Sequence, residues 1–331
     1  FWQVDLLSEF VDKFGITHVF TCAEEEDFPT IYQKANRDKV TFKTVLTGYL
    51  DPATVERIDR ITESSTRDID IGYRAWKADY WLGEHGMHKV WVAERFRDSG
   101  KNKGLNVDIE MQTDETQALL ADDWFHFLAR CKSTVGVQGG ASVVNHRGEI
   151  KEAVDKYLEA NPNATFEETR DACFADKDHN LALACLSPRH LEACATRTCQ
   201  FLIRGKFNGI LEADKHYIAV NEDYSNIDEV LESFKSPEKL KEVADRAYDD
   251  IVKSGKWTYE AFVKGVEDDI ITPEQKFAGQ DGVFASMLKW WMQLRDKLSW
   301  TVIALEVKLA KGKCGLMSRI ALRSLKLIFP T

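Results

Sequence analysis

The stretch 186-LSPRHLEACATRTCQFLI-203 decides how the rest of the chain is read. It follows 181-LALAC-185, a short apolar run of buried-strand type, and itself ends in a second such run, 198-TCQFLI-203. Between them Ser187 and Pro188 form a helix start: a side chain that caps free amides, then proline at the first helical position. The order is strand, tight turn, helix, strand. In an open α/β sheet a turn of this kind lies at the carboxyl edge, where ligands bind. The first helical turn would offer amides and a positive dipole end to an anion, from Ser187 onward. Arg189 adds a fixed cation, and Glu192, one turn in, can accept two hydroxyl hydrogen bonds from a sugar ring. A capped helix whose charges are merely solvated accounts for the same spacing.

Outward from this stretch the alternation is regular. Toward the N-terminus, 69-IDIGYRA-75 is a strand, 81–100 a helix, 105-LNVDIEM-111 a strand, 116–131 a helix and 133-STVGVQGG-140 a strand running into glycines. An inserted helix, 149-EIKEAVDKYLEA-160, precedes the opening stretch. After it come the strand 216-HYIAV-220 and helices over 226–234, 237–254 and 258–270. Strands alternating with helices predict an α/β fold with a mostly parallel sheet covered on both faces. Residues 1–66 contain a helix at 6–14, a strand in 17-THVFTC-22, a short helix, a further strand and a helix opened by Asp51 and Pro52. The polar run 62-TESSTRD-68 predicts a linker. The chain therefore divides into 1–66, 67–271 and a tail, 272–331.

Two further clusters lie where strands run into turns. In 72-GYRAWKADYWLGEHGMHK-89, Arg74, Lys77 and Lys89 are cations able to neutralise a diphosphate, with no aspartate pair suited to Mg²⁺ beside them. Solvation of the two lysines is the plainer alternative. His85 and His88 have HxxH spacing but no third ligand in sequence, which predicts surface or supporting residues. In 136-GVQGGASVVNHRGEI-150, Gly139 and Gly140 permit close backbone approach, and Gln138 or Ser142 could bind a phosphate or base edge; a plain tight turn fits as well. The run matches neither GxGxxG nor a Walker loop, and no GxSxG elbow or kinase catalytic set occurs.

The composition is that of a soluble globular protein, 44% hydrophobic and 30% charged, which excludes a disordered chain. The chain opens on Phe1 with no signal-peptide pattern, as a fragment of a longer protein would. Seven cysteines, odd in number, irregular in spacing and without a CxxC pair, point to a reducing cytoplasm. Cys194 and Cys199 fall mid-element and predict structural roles. Net charge is −10, yet from Lys289 onward nine Lys/Arg face only Asp296 and Glu306, a local +7 that leaves −17 elsewhere. An acidic body argues against nucleic acid as a partner. The tail is interrupted too often by charge to span a membrane, which takes about 20 nearly uncharged residues. Its Trp290, Trp291 and Trp300 amid cations over 289–331 instead suit the surface of an anionic membrane, with packing on the acidic body as the alternative.

The order strand–"SPRHLEA"–helix–strand, followed by 205-GKFNGILEADKHYIAV-220, an acidic helix and 257-WTYEAFV-263, resembles the C-terminal half of GT-B glycosyltransferases. Within these it is most similar to the bacterial spore-maturation-type and surface-polysaccharide enzymes. The resemblance covers about 67–270. It implies two facing Rossmann-like domains, the C-terminal one holding a nucleotide-sugar, and an N-terminal acceptor domain of which residues 1–66 would be an incomplete part. Glu192 matches the ribose-binding acid; position 184, eight residues earlier, is alanine, so the family's second acid is absent. The function implied is metal-independent transfer of a hexose-like sugar from a nucleotide-diphosphate sugar to a glycan, lipid-linked or other surface acceptor. The donor is the co-substrate and no further cofactor is implied. An epimerase of the same fold and a non-catalytic, membrane-attached sugar-nucleotide-binding partner are the alternatives.

Overall fold

The computed structural model describes residues 3–113 and 118–270. Helix α1 (Val4–Lys13), strand β1 (His18–Thr21), helix α2 (Phe28–Ile31) and strand β2 (Thr41–Thr44) come first. The two strands pair in parallel, His18 opposite Thr41 through Thr21 opposite Thr44. Helix α3 (Pro52–Ser64) starts as its sequence dictates: Asp51 accepts the Thr54 amide at 2.8 Å, and Pro52 needs no partner in the first turn.

The chain then alternates β3 (Ile69–Trp76), α4 (Glu84–Asn102), β4 (Val107–Gln112), α5 (Asp122–Arg130) and β5 (Cys131–Gly136). An arm follows: β6 (Gly139–Ala141), α6 (Glu149–Ala160), α7 (Phe166–Cys173) and β7 (Leu183–Cys185). Helix α8 (Pro188–Ala195), β8 (Cys199–Ile203), β9 (Ile218–Val220), α9 (Ile227–Glu232), α10 (Pro237–Ala247) and α11 (Tyr259–Ile270) complete the described part. Five strands make one parallel sheet in the order β4-β3-β5-β8-β9. The α/β class and the parallel sheet are as the alternation predicts. Counted in chain order the sheet runs second, first, third, fourth, fifth. Its direction of growth reverses between β3 and β5, and such a reversal opens a crevice above the carboxyl ends.

Side chains alternate across β8 and separate two cores. Cys199, Phe201 and Ile203 join Ile71, Tyr73, Val92 and Phe96 on one face, covered by α4, α9 and α10. Leu202 joins Leu191, Cys194, Ile58, Ile61 and Phe125 on the other, covered by α3, α5 and α8. Every residue of β8 is buried, which is why it reads as an unbroken apolar run. Phe96 and Phe201 stack at 5.8 Å, and truncating either would cost about 3–5 kcal/mol.

Three sequence expectations change. First, 181–185 is a strand but not one of the main sheet: β7 pairs antiparallel with β6, Gly139 opposite Cys185. Apolar periodicity marks a strand and says nothing of its neighbour. Second, the polar run 62–68 is no free linker. Arg67 is drawn inward and donates to the carbonyls of Thr196 at 2.6 Å and Arg197 at 2.8 Å, and also to that of Cys131. Just before it, Ile58 and Ile61 of α3 lie in the second core. Third, the helix expected over 116–131 begins at Asp122, and Cys131 already belongs to β5. Residues up to Thr113 and from Leu119 to Val266 form one compact unit. The basic tail and its tryptophans lie outside the described residues. No described helix is long and apolar enough to cross a membrane.

Candidate functional site

The first turn of α8 lies over the carboxyl ends of β3 and β5, at the reversal point. Arg189 Nη1 donates to the Arg74 carbonyl of β3 at 3.1 Å. The His190 ring lies against Gly136, the last residue of β5, where an added Cβ would sit 3.4 Å from Nε2 and 3.1 Å from Leu202. The Ser187 amide donates to His190 Nδ1 at 3.1 Å, so histidine takes the place of the usual glutamate in the reciprocal half of a capping box. Burial, then the nearby charges of Arg189 and Lys89, push His190 down to about 3, and its ring is neutral. Tyr73, Trp124, Val137 and Arg189 line the remaining walls of this crevice.

Two cations, Lys89 and Arg189, stand near enough here to feel one another's charge. Lys89, on α4, is held below the usual lysine range by burial first and by the Arg189 charge second. It has no ion pair or hydrogen bond among the described residues. Arg189 donates to the one carbonyl named above and lies 5.9 Å from the Tyr73 ring centroid, with no carboxylate in ion-pair reach among the described residues. Two like charges partly removed from water raise the energy of the empty site, and an anion between them reverses that. Glu192, largely buried, accepts from Trp124 Nε1 at 2.8 Å. Burial raises its carboxyl above the ordinary value, while Trp124 and Arg189 oppose the shift. Its second oxygen has no partner among the described residues. An acid fixed by one indole and open at its other oxygen can take a hydroxyl pair.

Of the sequence candidates, Arg189 lines the crevice, Ser187 and Glu192 stand at the start of the same helix, and Lys89 lies near enough to feel the Arg189 charge. The others stand elsewhere. The Arg74 guanidinium bridges to β4, donating to Asp108 Oδ1 at 2.8 Å and to its carbonyl at 2.9 Å; Glu110 lies at 3.4 Å, and Phe127 stacks 4.3 Å beneath. Lys77 is exposed, 6.0 Å from the Tyr80 ring. Gly139 and Gly140 form β6, and the close approach at Gly140 is filled by the chain itself: a Cβ there would lie 1.8 Å from the Leu183 carbonyl. Gln138 is buried with its Nε2 unpartnered, and its carbonyl meets His85 Nε2 at 3.2 Å. Ser142 donates to Asp178 Oδ1 at 2.6 Å and accepts the His85 amide at 3.2 Å. His85, pushed down to about 4 mainly by burial, and His88, packed against Trp91 and Tyr224, are not surface residues. Trp124, Tyr73 and His190 are contributions that spacing alone did not single out. Only His190, three residues after a serine at a helix start, carried a local signal.

No family model matches the sequence, and no curated protein does. Among solved structures the chain is similar to HepE from Anabaena in complex with UDP, at 8% identity, TM-score 0.41, covering 81% of this chain and 66% of that one. It is similar to a glycosyltransferase from Rickettsia africae ESF-5, at 8% identity and TM-score 0.41, covering 81% and 67%. The C-terminal domain of LpcC from Francisella tularensis aligns at 11% identity and TM-score 0.29, covering 64% of this chain and 96% of that domain. The chain spans about two thirds of the length of the HepE chain.

Proposed function

We propose that the crevice binds a nucleoside-diphosphate sugar and that the protein is a glycosyltransferase of GT-B type. The observation that carries this reading is the placing of Arg189 on the β3 carbonyl at the topological switch point, with partly buried Lys89 nearby and neither cation in an ion pair among the described residues. In the proposed reaction the bond between the anomeric carbon and the diphosphate oxygen breaks. Negative charge grows on the leaving diphosphate as an acceptor hydroxyl forms the new bond. Lys89, Arg189 and the positive dipole end of α8 stabilise that charge from a site partly closed to water, where fixed charges act most strongly. They supply the positive charge themselves, so no metal is assigned to the donor phosphates. Glu192, held by Trp124, would accept the ribose hydroxyls. Ser187 belongs to the anion-facing turn.

A glycan or lipid-linked acceptor is the second substrate proposed, with the basic tail, 289–331, bringing the protein to an anionic membrane face. UDP-glucose, the compound in one of the HepE complexes, is the first donor to try. The test is calorimetry of UDP and uridine against the full chain, followed by an assay for UDP released from UDP-glucose with and without acceptor glycans. Diphosphate binding with acceptor-dependent release supports the reading. Equal affinities for UDP and uridine would remove the cation pair from the site.

A further inference from the structure

We propose a second site, for a divalent cation of the Zn²⁺ class, formed by Glu84, Asp178 and His179 at the start of α4. One ligand atom from each lies within 4.8 Å of the others, and His179 Nε2 stands 3.1 Å from Glu84 Oε2. Ligands about 2.0–2.2 Å from one tetrahedral Zn²⁺ lie roughly 3.2–3.6 Å apart, so small rotations close the set. Asp178 is already oriented. Its Oδ1 accepts from Ser142 Oγ at 2.6 Å and from the His179 amide at 3.0 Å, while the Glu84 amide reaches its Oδ2 at 3.2 Å. Carboxylates fixed in this way by outer hydrogen bonds are characteristic of metal ligands.

Two independent observations point the same way. Among the described residues no lysine or arginine stands in ion-pair reach of Glu84 or Asp178; their one basic neighbour at that range is the His179 ring. Glu84 and His179 also line a cavity together with His85, His88 and Glu222, which leaves room for water at the remaining coordination positions. The imidazole favours Zn²⁺ and other imidazole-binding transition metals over Ca²⁺, Mg²⁺ or Mn²⁺, which carboxylates and water alone would suit. The site differs in chemistry from the cationic crevice and does not rest on the donor reading.

The test is calorimetric titration of the chelator-stripped full chain with Zn²⁺, and with Co²⁺ followed by its visible absorption. One equivalent of each is expected to bind. His179→Asn and Glu84→Gln should weaken binding at least about tenfold, and Ser142→Ala, which frees Asp178, by about tenfold. Asparagine is chosen because His179 has φ 65°, a left-handed conformation that Asn tolerates. His126→Ala, at an exposed site elsewhere, should leave the titration unchanged. Circular dichroism of the metal-free variants identifies those that fold. No one-equivalent binding, several weak equivalents, or unchanged affinity in both folded ligand variants would overturn the site. UDP titrations in chelator are read separately, so failure here leaves the donor crevice untouched.

Discussion

Replacing Lys89 by methionine should move stability and affinity in opposite directions. The side chain keeps its length and loses its charge. In the free protein that charge is partly desolvated and faces Arg189 with no acid to offset it. The folded-state pKa is below that of the unfolded chain, so the folded state binds fewer protons between the two values. Stability therefore rises with pH through that window, and below it the folded state carries the full penalty. At neutral pH the methionine variant escapes the penalty and should melt at the same temperature or higher. Binding reports the converse: one charge-assisted hydrogen bond to phosphate is worth about 1.5–3 kcal/mol, or roughly 10–150-fold in Kd for a nucleoside diphosphate. Wild-type affinity should also decline in the alkaline range as Lys89 loses its proton, a decline the variant lacks. The assay is calorimetry of UDP across pH, with calorimetric melting of the free proteins. A variant that melts lower and binds UDP unchanged would refute the reasoning, because Lys89 would then be a structural residue.

Arg189→Ala should weaken UDP by about 10–150-fold and uridine little, whereas Arg74→Ala, which loses Asp108, Glu110 and the Phe127 face, should mainly cost about 1–2 kcal/mol of stability; paired titrations and melts separate the two. Glu192→Gln should lower affinity for uridine and UDP alike. Because burial raises the wild-type carboxyl, the stability tied to its protonated form is complete below the ordinary glutamate pKa and lost as pH rises through the folded value. Denaturant melts should therefore favour the glutamine variant more at neutral pH than at about pH 4. Arg67→Ala strips a half-buried guanidinium from the carbonyls of Cys131, Thr196 and Arg197 and should cost about 2–4 kcal/mol by denaturant melt, with UDP affinity kept in the folded fraction. Deleting residues 289–331 should abolish binding to anionic liposomes at low salt while UDP affinity stays within a few-fold; liposome binding that survives the deletion would acquit the tail.

How far the sequence discloses this molecule differs from one feature to the next. The alternation of apolar runs with helices led to the parallel sheet because burial on both faces writes itself into composition, as in β8. It could not place 181-LALAC-185, since the partner of a short strand is set by long-range pairing; β7 turned to β6. Gly140 announced a close approach correctly in kind, and the approaching group is the Leu183 carbonyl. Arg67 looked like linker because its neighbours are polar, while its role depends on carbonyls more than sixty residues away. At the crevice, Ser187, Arg189 and Glu192 were legible as one helical turn. Lys89 was legible only as a cation: its burial and the nearness of the Arg189 charge arise from tertiary placement, which local spacing does not show. Trp124 and the trio of Glu84, Asp178 and His179 join residues distant in sequence, which no local pattern connects.

The central claim is that the Lys89–Arg189 crevice is built for a diphosphate. Calorimetric titration of the full-length chain with UDP and with uridine, in chelator, tests it most directly. UDP is expected to bind with one site per chain and at least about 100-fold more tightly than uridine, the difference shrinking toward unity in a Lys89→Met/Arg189→Ala double variant that still melts cooperatively. Equal affinities for UDP and uridine, or a UDP preference that survives the double variant, would contradict it.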